Sequence, residues 1–179
     1  MSAPRIAPLE KPKHPIVKAA YWIIKRKLGK VITPVKVIYA RYPSMLPWVN
    51  KMDKIIENDI PLDDSIKLLV KYKIAFLNRC DFCLDIGQKS AIQKHIPLEK
   101  FYNINSFETS DLFSEKEKSA LQFAKEANQQ KVSDATFDAL KKHFNDKEII
   151  GITYIVATEN YYNIMNHALE INSDGLCSI

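Results

Sequence analysis

Apolar residues recur at helical spacing along nearly the whole chain, and strand-type alternation is scarce. Ile16, Ala19, Ala20, Ile23, Ile24 and Leu28 form one stripe. They predict a helix over 15–28, with Pro15 in its first turn and Gly29 just past its end. The run 31–42 is bounded by Pro34 and Pro43 and reads as helix or irregular backbone, because no second strand pattern exists to pair with it. Ser44 is placed to cap a helix over 45–57 with Pro47 in its first turn, and 58–61 reads as a linker. Asp63 or Asp64 can cap a helix ending near 77, whose apolar side is Leu68, Leu69, Tyr72, Ala75 and Phe76. Asn78 and Arg79 mark a break, a further helix covers 81–94, and Pro97 ends that unit. The polar stretch 103–113 reads as loop.

Ser114 and Glu117 have the spacing of a capping box and open a helix over 115–130. Ser133 can cap the next helix, 134–144. The last and longest helix, 147–171, is apolar over more than one face, which suits a central position or a subunit contact. Gly151 within it weakens the helix by about 1 kcal/mol relative to alanine, so it points to close packing. The expected fold is therefore all-α, a helical bundle built on the hairpin 64–94. Pro4, Pro8 and Pro12 precede it and make residues 1–14 an extended arm, loose or lying across a neighbouring subunit. Residues 15–179 read as one domain, a length that supports a sizeable core.

Composition changes this picture little. Hydrophobic residues make up 46% of the chain, which excludes a disordered protein, and only four glycines interrupt the helices. No apolar run approaches the roughly 20 residues that span a bilayer. Residues 1–15 and the short apolar stretch 19–24 do not form an export signal, so a cytoplasmic, reducing compartment is expected. Charge is uneven: residues 1–60 carry 12 Lys/Arg against 4 Asp/Glu, and the remainder 14 against 17. No nucleic-acid motif accompanies the basic third, and a solvated charged surface accounts for it.

The chemistry concentrates at Cys80 and Cys83, the one closely spaced cysteine pair. Their spacing places both sulfurs at the start of a helix, where they can close a disulfide, share a proton or hold a metal. The helix N-terminus lowers a thiol pKa; Arg79 adds positive charge, whereas Asp81 and Asp85 oppose it. Two buried structural thiols are the plain alternative. A zinc site ranks behind, because it needs four ligands and His14, His95, His143 and His167 show no paired spacing. Cys177 reads as a bystander.

The stretch NRCDFCLDIGQKSA, preceded by LLVKYKIAFL, resembles the core hairpin of the carboxymuconolactone decarboxylase family, in its alkylhydroperoxidase D-like branch. The segments PRIAPLE, RYP and ENYYNIMNHALEINSDGLC are similar to other parts of that family. The resemblance implies an all-helical fold assembled as homo-trimers or homo-hexamers. It also implies a peroxidase in which Cys83 passes through the sulfenic acid and Cys80 resolves it and meets a partner thiol. Three positions depart from the pattern: Leu68 replaces the relay glutamate, and Phe82 and Gly87 stand where histidines occur. Asp85, Gln88, Tyr72 and His167 are the candidates to replace that relay. Asn160, Asn163 and His167 share a face of the last helix, as a site or as a subunit contact.

The expected function is thus a thiol-dependent peroxidase or disulfide reductase of antioxidant defence. Its partners would be a hydroperoxide and a thiol or dithiol protein reductant; it would need no metal or organic cofactor. The alternative is a non-enzymatic redox sensor whose disulfide changes oligomerisation or partner binding. Muconolactone decarboxylation is disfavoured, because the branch with that activity does not depend on a CxxC.

Overall fold

One helix, Asp64–Leu77, is buried along almost its whole length, and the rest of the chain is arranged around it. The computed structural model describes residues 3–177 and shows only helices and turns among them. In chain order the helices are α1 (Pro15–Leu28), α2 (Met45–Lys54), α3 (Asp64–Leu77), α4 (Asp81–Gln93), α5 (Glu99–Tyr102), α6 (Glu115–Asn128), α7 (Asp134–Lys141) and α8 (Asp146–Ala168). Short π-helical turns cover Val35–Tyr39 and Ile55–Asp59.

Different sides of α3 face different partners. Ile66, Val70 and Ile74 pack with Ala120 and Ala124 of α6, Leu140 of α7, and Ile152 and Ile155 of α8. Leu68, Leu69 and Tyr72 pack with Ala91 of α4, Phe101 of α5, Phe107 and Leu121. Ala75 joins a third group around Cys80 and Cys83. Lys73 is buried in this helix; its Nζ donates to Ile104 O at 3.2 Å and lies 4.6 Å from the Phe107 ring centre. Burial pushes its ammonium pKa down. The polar stretch 103–113 is thus pinned from beneath, by Lys73 and by the buried Phe107 and Phe113.

Several ends differ from expectation for identifiable reasons. Ser44 is already helical and makes no cap; turn bonds from Met45 N to Tyr42 O and from Leu46 N to Pro43 O satisfy the first amides instead. The stretch 58–61 is not all linker, because the π-helical turn runs to Asp59. Residues 35–39 resolve into a buried π-helical turn. The arm before α1 lies along its own chain. Leu9 N donates to Lys36 O at 3.0 Å, Arg5 N to Leu169 O at 3.0 Å, and the Arg5 guanidinium pairs with Glu170 at 2.7 Å. The central helix is α3, with α8 packed along it.

The expected capping box of α6 is present, and it carries an extra charge contact. The Glu117 carboxylate accepts from Ser114 N at 2.9 Å and from Lys100 Nζ at 2.6 Å. Burial alone would raise its pKa, but Lys100 and Ser114 outweigh burial and hold it below the usual value. A depressed carboxylate stabilises the fold above its unfolded pKa and loses that contribution as pH falls through the folded value. Glu117→Gln is therefore expected to cost about 1–2 kcal/mol at neutral pH. The deficit should shrink below pH 4.5, the value of the free group. Denaturant melts of both proteins at neutral and acid pH check this; a deficit that does not change with pH would refute it.

Candidate functional site

The hairpin between α3 and α4 turns on three residues. Asn78 ends α3 with its N–H on Ile74 O; Arg79 takes a left-handed φ of 55°; Cys80 is extended, and its N–H donates back to Ala75 O at 2.9 Å. A left-handed non-glycine residue is uncommon and costs of order 1 kcal/mol, so the surroundings must hold it. The turn places Cys80 at the N-cap of α4 and Cys83 within its first turn, where the free amides and dipole favour negative charge. Cys80 and Cys83 form a disulfide with their Cα atoms 5.2 Å apart. Cys80 is 2% exposed and Cys83 5%, and Val35, Ile38, Tyr39, Met52, Phe82 and Ile171 surround them.

The polar partners of the sulfurs come from α8. Asn163 Nδ2 donates to Cys83 Sγ at 3.1 Å, and Asn166 Nδ2 reaches Cys83 Sγ at 3.4 Å and Cys80 Sγ at 3.7 Å. Both asparagines are buried. A chain of bonds sets which way Asn163 faces. Asn160 Nδ2 donates to the carbonyl of Val156, which can only accept, so its Oδ1 turns to Asn78. Asn78 Nδ2 donates to that oxygen at 2.9 Å and to Asn163 Oδ1 at 2.8 Å. Asn128 Nδ2 closes the set on Asn78 Oδ1 at 2.9 Å. With its oxygen taken, Asn163 presents both N–H bonds inward, one to Cys83 and one to Glu159 Oε1 at 2.8 Å.

Glu159 is 4% exposed. Burial pushes its carboxyl pKa up; Lys71 and the Asn163 hydrogen bond oppose this, and Asp53 adds to it. Asp53 also accepts from Tyr162 OH at 3.1 Å, and burial raises the Tyr162 phenol. Asp53 and Lys71 line a cavity of about 80 Å³ together with Leu68, Lys67, Ser90 and Lys94.

The residues expected to support the cysteines have other partners. Asp85 is a buried clamp for the C-terminal segment, accepting from Ser173 OH at 2.8 Å, Leu176 N at 2.9 Å and Cys177 N at 2.9 Å. Gln88 of α4 donates through Nε2 to Tyr72 OH at 2.9 Å, and Tyr72 lies on the side of α3 that packs on Phe101 of α5. His167 is exposed and its Nε2 lies 2.5 Å from Asn78 O, so it braces the hairpin turn. Asn160, Asn163 and His167 do converge, but on Asn78; Asn163 alone of the three touches a sulfur. The departures also have a spatial reading. Leu68 lines the cavity, Phe82 is core, and a Cβ on Gly87 would lie 3.1 Å from the Tyr72 ring, which leaves no room for histidine without moving Tyr72. Among the described residues no group of His, Cys, Asp and Glu gathers as a metal site, and no helix is long and apolar enough to cross a membrane.

Glu159 and Asn166 were not singled out from the sequence, yet a signal existed. The buried stripe of α8 runs through Ile152, Ile155 and Val156 and continues at the same spacing as Glu159, Asn163 and Asn166. Polar residues that continue an apolar stripe mark a buried polar site.

No family model matches the chain. It is 28% identical over 167 residues to the uncharacterized protein YnjA of Escherichia coli, which covers 92% of this chain and 91% of that one. Among solved structures it superposes on an alkylhydroperoxidase AhpD core, an uncharacterized peroxidase-related protein from Ralstonia eutropha. The TM-score is 0.82 at 18% identity, covering 98% of this chain and 94% of the other. It also superposes on the debrominase Bmp8 in complex with 2,3,4-tribromopyrrole, with TM-score 0.83, 19% identity and coverage of 98% and 94%. The chain therefore has the carboxymuconolactone decarboxylase-like fold of the AhpD-like, peroxidase-related proteins.

Proposed function

We propose that this chain is a thiol-dependent hydroperoxide reductase of antioxidant defence, with Cys83 as the reacting thiolate and Cys80 as the resolving thiol. The observation that carries this reading is the pair of amide N–H groups aimed at Cys83 Sγ, against one longer contact at Cys80. Hydrogen bonds to a charged group stabilise it by about 1.5–3 kcal/mol each, so the amides favour a thiolate at Cys83.

The reduced Cys83 thiolate attacks the peroxide O–O bond. Sulfur takes one oxygen and becomes a sulfenic acid; the other oxygen takes a proton and leaves as an alcohol. The Cys80 thiol then attacks Cys83 sulfur. An S–S bond forms, the S–O bond breaks, and the hydroxyl leaves as water with the Cys80 proton. A thiol or dithiol protein reductant attacks Cys80, expels the Cys83 thiolate through a mixed disulfide, and returns two electrons and two protons in all. No metal or organic cofactor enters this cycle. A cytoplasmic setting would supply the reductant. A homo-trimer or homo-hexamer would cover Trp22, Trp48, Ile150 and Ile164, large apolar side chains exposed on this subunit.

A second reading is favoured by one observation, the burial of both sulfurs. If the pair opens only with its surroundings, the disulfide could report redox state without turnover. One experiment separates the two. Reduced protein is mixed with several organic hydroperoxides, and peroxide loss, thiol content and oligomer mass are followed together. The peroxidase reading expects one equivalent of peroxide consumed as the Cys80–Cys83 bond returns, then repeated turnover with a dithiol. Peroxide left untouched while oxidation changes the oligomer mass would replace it with the sensor.

A further inference from the structure

The sulfurs are served by amide donors, and an amide gives hydrogen bonds but takes no proton. The nearest buried acid in the same network is Glu159, one helical turn before Asn163 on α8. We propose that Glu159 is the positioning residue of the redox pair, holding Asn163 against Cys83 and sharing one negative charge with that sulfur. This deepens the peroxidase reading above and rests on Cys83 being the reacting thiol.

Geometry comes first. A single nitrogen, Asn163 Nδ2, is 2.8 Å from Glu159 Oε1 and 3.1 Å from Cys83 Sγ. Its two hydrogens serve the two groups separately, so the carboxyl fixes the rotamer that delivers the second N–H to sulfur. Asn78 on the amide oxygen blocks the flipped alternative. Electrostatics follows. Glu159 and Cys83 lie on either side of one amide in a buried site, and two negative charges there repel strongly. In the disulfide Cys83 carries no charge. On reduction the charge sits either on Cys83, with Glu159 as the neutral acid, or on Glu159, with Cys83 as the thiol. The carboxyl thus holds the proton that a thiolate must give up and can return it when the charge at sulfur disappears.

The other groups acting on Glu159 are few. Lys71 faces it from α3 and favours its ionised form; Asp53 from α2 opposes that form. Tyr162, on α8 itself, is hydrogen-bonded to Asp53 and is held as the neutral phenol. Lys71 and Asp53 border the 80 Å³ cavity, which brings water-sized space to the acid's charged neighbours. Leu68, at the position of the relay glutamate in the resembling family, lines the same cavity. Glu159 reaches the cysteine pair through Asn163 of α8, whereas Leu68 on α3 offers no acid.

The test reads Cys83 alone. In a Cys80→Ser/Cys177→Ser background, thiolate absorbance is titrated against pH with Glu159 intact, with Glu159→Gln and with Asn163→Ala. With Glu159 intact the curve is expected to be broad, in two steps, because coupled groups titrate as a pair. Glu159→Gln keeps an acceptor for Asn163 but no proton; it should give a single step with a midpoint about one unit lower. Asn163→Ala removes the donor and should raise the midpoint by about one unit. A one-step curve with Glu159 intact overturns charge sharing even if a variant fails to fold. Superposable curves for the parent and Glu159→Gln overturn it as well. No turnover enters this measurement, so its failure is distinct from a failure of the peroxidase reading.

Discussion

Cys83→Ser is expected to abolish hydroperoxide consumption, a loss of at least about a thousandfold, as when a nucleophile is removed from its active site. Cys80→Ser is expected to behave differently: it should consume one equivalent and stop with a sulfenic acid on Cys83. The asymmetry follows from position. Both residues begin α4, so the helix N-terminus favours a thiolate at either. The amides break the tie, because Asn163 and Asn166 both donate to Cys83 at 3.1 and 3.4 Å, whereas Cys80 receives one contact at 3.7 Å. The family resemblance also points to the second cysteine, and the amide contacts agree with it. Trapping the sulfenic acid with a dione reagent and locating it by mass spectrometry checks the roles. Oxygen found first on Cys80, or peroxide consumed at an undiminished rate by Cys83→Ser, would reverse or remove the assignment.

What was legible in the sequence is what depends on neighbours in the sequence. The Ser114–Glu117 capping box, the Ser133 cap, the Gly29 terminus and the break at Asn78–Arg79 are all local patterns, and each appears in the structure. The same Asn-x-x-Glu spacing opens α8 at Asn145–Glu148 and could have been read in the same way. Asp85 could not. Its three donors lie 88 to 92 residues downstream, and nothing around it in the chain distinguishes a clamp from a solvated helix residue. The hairpin with its cysteines was equally visible, because both sulfurs and the turn lie within a few residues. The groups serving those sulfurs sit 80 or more residues away on α8, and only tertiary packing brings them back. The polar continuation of the α8 stripe was a clue to burial, but not to the partner it would meet.

Adding a side chain at Gly151 is expected to destabilise the fold although it improves the helix. Alanine in the middle of α8 gains about 1 kcal/mol of helix propensity. Against this, a Cβ at Gly151 would lie 2.6 Å from Ile60 Cγ2 and 3.5 Å from Cγ1. Ile60 is buried and branched at its own Cβ, so its methyl cannot swing aside as the end of a flexible chain would. Overpacking of this kind costs about 1–3 kcal/mol, so Gly151→Ala should lose about 1 kcal/mol net and Gly151→Leu about 3. The two sites should couple: shortening Ile60 to alanine costs about 2–5 kcal/mol alone but makes room for the Gly151 side chain. The double variant Gly151→Leu/Ile60→Ala is therefore expected to be more stable than the sum of its parts. Asn163 lies 12 residues further along α8, about 18 Å away, so thiol titration in the folded fraction should not change. Denaturant melts of the four proteins of the Gly151→Leu/Ile60→Ala cycle, and of Gly151→Ala beside them, check this. A more stable Gly151→Ala would mean that helix propensity wins and that α8 does not need this close approach. Additive losses would mean that Ile60 is not what the glycine makes room for.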